Sequence, residues 1–207
     1  MYLRETIEAY KRNDPAARNA LEIILLYNGF HATFWYRIAH WLWQRHLHFL
    51  ARLISQLTKF FTGVEIHPAA KIGRRFVIDH GTGIVIGATA EVGDDCLLYQ
   101  GVTLGGTGKD TGKRHPTLGN NIMVGCGAKV LGPFKVGDNS RIAANSVVLR
   151  EVPPFCTVVG VPGRIVRQGG EKLDHVHTPD PVMDRMELLE NKIAELEAKL
   201  EEKYETL

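Results

Sequence analysis

Aliphatic residues recur at every sixth position through the middle of the chain, a spacing that fits neither an α-helix nor an alternating strand. Eleven of the thirteen positions in this ladder are Ile, Leu or Val, and the ladder reads Ile66, Ile72, Ile78, Ile84, Ala90, Cys96, Val102, Leu118, Val124, Val130, Val136, Ile142 and Val148. One inward residue per six describes a short flat edge followed by a corner. Three such edges make a triangular coil of about eighteen residues.

Coils of this kind stack at the interstrand spacing of roughly 4.8 Å, so the pattern predicts a parallel β-helix of hexapeptide repeats. In a regular eighteen-residue coil, Ile66, Ile84 and Val102 are predicted to lie above one another. Small residues and glycines recur near the predicted corners, as at Ala70 and Gly73. These residues accept backbone angles that bulky ones resist.

The ladder is interrupted once, because sixteen positions separate Val102 from Leu118. A solenoid can expel such an excess only sideways, so residues 105–117 are predicted to leave the coil as an extruded loop. The loop is polar and rich in glycine, and it carries a cation and an imidazole at Arg114 and His115. Loops on a rigid scaffold are frequent sites of function.

Residues 1–61 are predicted to form an α-helical N-terminal domain. Asp14 ahead of Pro15 is an N-cap signal, and Asn28-Gly29 separates two apolar segments as a turn. Between Ile38 and Phe61 apolar residues recur at intervals of three and four, which predicts amphipathic helices docked by their apolar face. The solenoid is assigned to residues 62–168.

Residues 169–207 are predicted to form a linker and a C-terminal α-helix. A heptad spacing joins Val182, Met186, Leu189, Ile193, Leu196, Leu200 and Leu207, with Glu and Lys dense between them. The spacing favours a trimeric coiled coil, because a triangular prism offers faces that pack about a threefold axis. The alternative is a solvated helix packed on its own domain.

Composition narrows the class of function. Twenty-five basic and 23 acidic residues give a net charge of +2, too small an asymmetry for a nucleic-acid binder. The three cysteines form no C-x-x-C pair, which favours free thiols in a reducing cytoplasm. The start of the chain lacks a signal-peptide core, and the longest uncharged stretch is shorter than a membrane span. The sequence therefore predicts a cytoplasmic protein with no membrane partner.

Candidate chemistry centres on His80, which follows the inward Ile78 by two positions and is predicted to point outward. A lone histidine is by default structural. Here an adjacent carboxylate, Asp79, and the loop residues Arg114 and His115 supply a base, charge partners and a cation that could clamp a small carboxylate.

Several segments together resemble the serine O-acetyltransferases, a family of hexapeptide-repeat acetyltransferases, in a short form with a C-terminal heptad helix. The similar segments are residues 65–73, 79–87, 102–108 and 114–116, and upstream residues 14–16 and 37–43. The resemblance covers about residues 10 to 168. It implies a left-handed β-helix and transfer of an acetyl group from acetyl-CoA to the hydroxyl of L-serine, giving O-acetyl-L-serine and CoA as the first step of cysteine biosynthesis from serine.

The resemblance also implies roles for individual residues. His80 would be the general base, oriented by Glu65, which stands where the family has an aspartate. Asp14 and Asp79 would receive the serine ammonium, Arg114 its carboxylate, and His115 would assist. Acetyl-CoA would lie along coil edges between neighbouring subunits, near Gly106, Gly125, Cys126, Ala144, Arg141 and Arg164. No metal is implied, and no Ser or Cys stands beside the base as a covalent relay, so direct transfer is expected.

As partners, the resemblance implies a homo-oligomer, either a trimer or a dimer of trimers. Relatives dock a terminal isoleucine into O-acetylserine sulfhydrylase, whereas this sequence ends in Leu207. Further departures are Ala88, where relatives have a glutamate, and Cys126, where they have an alanine. Three alternatives stay open: a hexapeptide acetyltransferase for another small hydroxyl acceptor, a zinc carbonic anhydrase using histidines on the same solenoid, and a non-catalytic scaffold.

Overall fold

In the computed structural model, which describes residues 2–108, 111–169, 185, 188–193 and 195–197, four helices precede fifteen short strands. The helices are α1 (Tyr2–Asn13), α2 (Ala20–Leu26), α3 (Asn28–Gln44) and α4 (His48–Thr62). The strands are β1 (Glu65–Ile66), β2 (Lys71–Ile72), β3 (Val77–Asp79), β4 (Val85–Ile86), β5 (Glu91–Val92), β6 (Leu97–Tyr99), β7 (Thr103–Gly105), β8 (Thr117–Leu118), β9 (Met123–Val124), β10 (Lys129–Leu131), β11 (Lys135–Val136), β12 (Arg141–Ile142), β13 (Val147–Val148), β14 (Cys156–Val159) and β15 (Arg164–Gln168).

The strands form three sheets that the chain visits in turn. Sheet A contains β1, β4, β7, β10 and β13; sheet B contains β2, β5, β8 and β11; sheet C contains β3, β6, β9, β12, β14 and β15. Neighbouring strands are parallel except for β14 and β15. The predicted parallel solenoid is therefore confirmed, with about five coils and three corners. We name the corners AB, BC and CA after the sheets that they join.

All thirteen ladder residues are buried, which confirms the six-residue period. The predicted stacking is correct for Ile84 and Val102, because their neighbours Val85 and Thr103 are partners, but it is wrong for Ile66, which pairs with Ile86. Glu65 and Val85, twenty positions apart, are partners, whereas the next partners, Val85 and Thr103, are eighteen apart. The first coil is thus longer by two residues, and these lie in the turn between β3 and β4.

The pairing of the strands also gives the length of the coil that carries the extruded loop. Thr103 pairs with Lys129, twenty-six positions along, so this coil exceeds a regular one by eight residues. Because Gly105 belongs to β7 and Thr117 to β8, the loop itself runs from 106 to 116. Its residues 109 and 110 lie outside the described part of the chain.

The helical region caps the open end of the solenoid. The first coil has backbone carbonyls with no further coil to bond, and unpaired edges of this kind need partners. Side chains of the helices supply them: Ser55 Oγ donates to Ile66 O over 2.7 Å, and Tyr36 Oη donates to Ala70 O over 2.6 Å. Arg37 likewise donates to the carbonyl of Ile72 over 2.5 Å.

The buried face of α4 differs from the one that the sequence predicts. The buried residues of α4 are Ala51, Ser55, Thr58 and Thr62, and the helix contacts α3 and β1. Six large apolar residues of α4 are exposed instead, and they are Phe49, Leu50, Leu53, Leu57, Phe60 and Phe61. The prediction that α4 docks by its apolar face is therefore wrong: Ser55 bonds a carbonyl of the first coil, whereas Thr58 and Thr62 bond carbonyls of α4 itself.

The helix boundaries also differ from the predicted signals. Asn19, not Asp14, is the N-cap of α2, since its side chain accepts from Glu22 N over 2.9 Å. The break between α2 and α3 falls at Tyr27, and Gly29 lies inside α3 rather than in a turn. A Cβ at Gly29 would lie 2.2 Å from Ile78 O, so this glycine allows α3 to approach β3 closely.

The chain divides into two compact units, residues 1–173 and 174–207. In the second unit the described residues are helical, and Leu189, Ile193 and Leu196 of the predicted seam are exposed. The other seam residues lie outside the described residues, so the coiled coil stays a prediction. Leu207, which stands where relatives that dock a sulfhydrylase have isoleucine, also lies outside them. The three cysteines are free thiols, as predicted. In the described part of the chain, no helix is both long and apolar enough to cross a membrane.

Candidate active site

His80 lies at corner CA, in the turn whose two extra residues lengthen the first coil. Its backbone is left-handed, with φ at 58°, a conformation in which histidine is enriched among non-glycine residues. Its side chain is 75% exposed and points outward, as the spacing predicts. His80 Nε2 lies 3.9 Å from Asp79 Oδ1, a distance too long for a hydrogen bond.

Asp14 approaches the same corner from the connection between α1 and α2. Its Oδ1 accepts from Ala16 N over 2.8 Å, and its Oδ2 accepts from Tyr27 Oη over 2.6 Å. Burial, followed by this hydrogen bond, raises the pKa of Tyr27 to about 12. Burial chiefly raises the pKa of Asp79, and the nearby charge of Asp14 adds to this rise. The corner thus collects two carboxylates, a place suited to a cation. No sequence pattern predicts the contact of Tyr27 with Asp14.

Three of the predicted acetyl-CoA residues continue along corner CA in successive coils. Tyr99 is in register with Asp79, and Gly125 and Cys126 follow in the coil beyond. Asn145 N donates to Cys126 O over 2.8 Å, which puts Ala144 one coil further. A Cβ at Gly125 would lie 2.6 Å from Ala144 N, so this glycine is required by coil stacking itself.

The remaining predicted acetyl-CoA residues lie elsewhere. Arg141, on sheet C, donates to Asn121 O over 3.2 Å, and burial lowers the pKa of its guanidinium. Arg164 is exposed on β15. Gly106 begins the extruded loop at corner AB, where a Cβ would lie 3.1 Å from Arg114 O. The predicted set is therefore divided between corner CA, sheet C and the loop.

His115 and Arg114 lie at corner AB, where Thr89 fixes the end of the loop. Thr89 Oγ1 accepts from Arg114 N over 3.0 Å and from His115 N over 3.1 Å. The same hydroxyl lies 2.8 Å from His115 Nδ1, and Thr89 N donates to that nitrogen over 3.2 Å. An amide N–H can only donate, so Nδ1 is an acceptor and the neutral ring carries its proton on Nε2. Thr89 was missed by sequence reasoning.

The His115 ring is buried, with 7% of the residue exposed, and it packs on the backbone of Gly87. A Cβ at Gly87 would lie 2.0 Å from His115 Nε2, so only glycine fits beneath the ring. Burial, then the charges of Arg114 and Lys113, lower the pKa of His115 and favour its neutral form. Arg114 itself is exposed.

His67 lies in the first coil at corner AB, and the sequence predicts no role for it in acetyl transfer. Burial, then the charge of Arg52, lower the pKa of His67 to about 4, and its Nδ1 accepts from Ala69 N over 3.0 Å. Glu65, the predicted orienting carboxylate, instead accepts from Lys59 Nζ over 2.6 Å. The described chain gives Glu65 no hydrogen bond to His80, because Glu65 lies on the outer face of sheet A beneath Lys59.

The structure thus separates the predicted site residues into two groups. Asp14, Asp79 and His80 meet at corner CA, whereas Arg114 and His115 meet at corner AB. Within the described residues no hydrogen bond or ion pair joins the two groups. No cluster of three metal-ligating side chains occurs there either, which leaves the zinc alternative without a site in that part of the chain.

Comparisons with known proteins agree on one family. The family description "Bacterial transferase hexapeptide (six repeats)" matches residues 115–150. The serine acetyltransferase of Bacillus subtilis (strain 168) is 56% identical over 99% of this chain and 96% of its own. A serine acetyltransferase of Brucella abortus, solved in complex with coenzyme A, has a TM-score of 0.80 at 43% identity over 83% of this chain and 68% of its own.

A soybean serine acetyltransferase, complexed with serine, has a TM-score of 0.78 at 41% identity, covering 80% of this chain and 68% of its own. High identity over nearly the whole chain, a matching repeat and a matching solenoid all indicate the same family. The two histidine-bearing corners lie within the region that these relatives share. The chain therefore belongs to the serine acetyltransferase family.

Proposed function

We propose that the chain transfers the acetyl group of acetyl-CoA to the hydroxyl of L-serine at a site assembled from two copies of the chain. The observation that carries this proposal is the separation of the site residues onto two corners of one prism. A ring of chains brings corner CA of one copy against corner AB of the next, and each ring interface then holds a complete set. Corner CA contributes the base and two carboxylates, and corner AB contributes a cation and an imidazole N–H.

His80 acts as the general base of this reaction. The serine hydroxyl is a weak nucleophile near neutral pH, so a positioned imidazole must take its proton as the oxygen attacks the acetyl carbonyl carbon. The tetrahedral intermediate then collapses with cleavage of the carbon–sulfur bond. The imidazolium returns its proton to the departing CoA thiolate, so His80 ends the cycle neutral.

The charged groups orient serine. The carboxylates of Asp14 and Asp79 suit its ammonium, and the exposed guanidinium of Arg114 suits its carboxylate through paired N–H donors. His115, neutral with its proton on Nε2, supplies one further donor. The proposal keeps Glu65 as an orienting carboxylate for His80, which requires Glu65 to exchange its Lys59 partner when substrates bind.

Corner CA suits the extended arm of acetyl-CoA. Gly125, Cys126 and Ala144 leave a narrow track of small residues that begins in the coils next to His80. Gln100 lies in the coil between those of His80 and Cys126. Its Oε1 is buried and has no hydrogen-bond partner among the described residues, so it is an acceptor that could pair with an amide N–H. Arg141, Arg164 and the partner copy's Gly106 complete the proposed set. In this proposal residues 1–61 supply Asp14, residues 62–168 supply the remaining groups, and residues 169–207 serve assembly.

The proposal is tested by two substitutions assayed with serine and acetyl-CoA. His80→Ala is expected to lower kcat by about 10²- to 10⁴-fold, the usual contribution of a positioned base, while acetyl-CoA still binds. Arg114→Ala is expected to raise the KM for serine more than it lowers kcat. Release of the CoA thiol with serine, but not with a galactoside, distinguishes serine from other hydroxyl acceptors. Full turnover in His80→Ala would remove His80 from the mechanism.

A further inference from the structure

Asn28, the first residue of α3, bonds the turn that carries His80. Its Nδ2 donates to His80 O over 2.7 Å and to Thr62 O over 3.1 Å. A side-chain amide has two N–H donors, so it satisfies both carbonyls at once. The amide oxygen accepts from Gly29 N over 2.8 Å, which fixes the orientation of the amide group from its other side.

The turn needs this partner because its two extra residues bulge out of the coil. At the same corner in a regular coil, the carbonyl bonds the next coil, as when Asn145 N donates to Cys126 O over 2.8 Å. The bulge removes His80 from that ladder. The carbonyl of His80 then accepts from Thr82 N inside the turn, over 2.9 Å, and from Asn28 outside it. Bulges of this kind re-aim side chains and recur beside active sites.

The direction of the His80 ring depends on the backbone of this turn. The ring is 75% exposed, and its contact with Asp79 is longer than a hydrogen bond. A left-handed backbone at a residue other than glycine persists only where its surroundings hold it. Below the turn, Tyr10 Oη bonds both backbone atoms N and O of Ile78 at 3.2 Å, so α1 anchors the strand while α3 anchors the bulge.

We propose that Asn28 is a positioning residue for acetyl transfer: its amide holds the bulged turn in the left-handed conformation that aims the His80 imidazole at the serine hydroxyl. This inference rests on the proposed role of His80 as the base. Asn28 itself touches no substrate. Its loss should therefore act on kcat rather than on the binding of either substrate.

Asn28→Asp tests the inference, because the aspartate has the same shape but no N–H donors. Asn28→Ala is the second variant and removes the whole amide. Both are expected to lower kcat by about 10- to 100-fold, the cost of misplacing a reacting group by about 1 Å. The KM values for serine and acetyl-CoA are expected to stay within about twofold of the wild type, because the binding groups are untouched.

Ser55→Ala is the matched control. It removes the hydrogen bond from Ser55 Oγ to Ile66 O, another cap on the same edge of the first coil but away from corner CA. Its thermal midpoint is expected to fall as in the Asn28 variants, whereas its kcat should match the wild type. Equal kcat losses in Ser55→Ala and Asn28→Ala would reduce Asn28 to a structural cap and overturn the inference.

Other outcomes are equally decisive. Wild-type kcat in Asn28→Asp, or failure of both Asn28 variants to fold, would overturn the positioning role. His80→Ala is assayed in parallel to separate this inference from the proposed function. Lost turnover in His80→Ala with unchanged kcat in Asn28→Asp rejects only the inference, whereas unchanged turnover in His80→Ala rejects the function as well.

Discussion

Corners CA and AB each carry a histidine, and the two rings differ in exposure and in what holds them. At corner CA the His80 ring is three-quarters exposed, and its position comes from a bulged backbone held by the helices. At corner AB the His115 ring is buried on Gly87, and its Nδ1 is held by Thr89. The first ring is accessible to take and return a proton, whereas the second is restricted to one neutral tautomer. The comparison shows how one solenoid presents both an exposed imidazole, the proposed base, and an imidazole fixed as an N–H donor.

Mixed oligomers test most strongly whether the two corners act together across a subunit boundary. His80→Ala and Arg114→Ala chains, carrying different tags, are expected to be poorly active alone at low serine concentration. Random assembly in a closed ring gives about a quarter of interfaces an intact His80 from one copy and an intact Arg114 from the next. Purification by both tags removes the unmixed rings, and every mixed trimer then has one intact interface in three. Activity of the co-expressed, doubly purified protein should therefore recover to about a quarter to a third of the wild type.

The controls are the two variants carried separately through the same purification. If both groups acted within a single chain, no mixed oligomer would contain a complete site. Activity equal to the mean of the two separate variants would then reject the shared site while leaving the acetyl transfer reaction itself intact.

Thr89→Val tests whether the Thr89 hydroxyl holds the end of the loop at corner AB, because valine keeps the shape of threonine and removes the hydroxyl. The change leaves Arg114 N and His115 N without their acceptor, and each such hydrogen bond contributes about 1 kcal/mol. We expect the KM for serine to rise about tenfold with a smaller change in kcat. Steady-state kinetics measures both, and Thr89→Ser, which keeps the hydroxyl, should stay within about twofold of the wild type. An unchanged serine KM in Thr89→Val would contradict the docking role of Thr89.

The smallest expected effect is on stability against pH. Burial lowers the folded-state pKa of His67, to about 4, and of His115, so the unfolded chain binds more protons than the folded chain below pH 6.5. Stability is therefore complete above about pH 6.5 and falls as the pH drops towards 4. Discounted for partial burial, His67 accounts for about 1 to 2 kcal/mol of this loss.

Urea unfolding at pH 7 and pH 5, at one fixed protein concentration, measures this difference. His67→Asn should reduce it, since the asparagine oxygen can still accept from Ala69 N but does not titrate. His46→Asn is the control, because His46 is exposed and its left-handed backbone suits asparagine. An equal pH dependence in His67→Asn and the wild type would show that corner AB does not depend on a neutral His67.

Much of the fold could be predicted because the solenoid is built from local repeats. Each aliphatic residue of the ladder lies on a flat edge of a repeated unit and points inward, so a six-residue spacing was enough to identify thirteen buried positions. The register could not be predicted, since the two extra residues between Ile78 and Ile84 still leave apolar residues at six-residue steps. The buried face of α4 was also unpredictable, because it consists of small and hydroxyl residues, and only the tertiary structure shows that Ser55 meets a carbonyl of the first coil.

By itself the sequence determined the repeat and the extruded loop, because both depend on spacing along the chain, and its motifs named the residues that we propose for the chemistry. Only the tertiary structure decided which of those residues meet. The order of three sheets around a prism separates His80 from His115 by one whole face. Contacts from distant helices hold the backbone at His80, whereas Thr89 in an earlier turn at the same corner sets the tautomer of His115. Such contacts join residues as far apart as Asn28 and His80, and no local pattern records them.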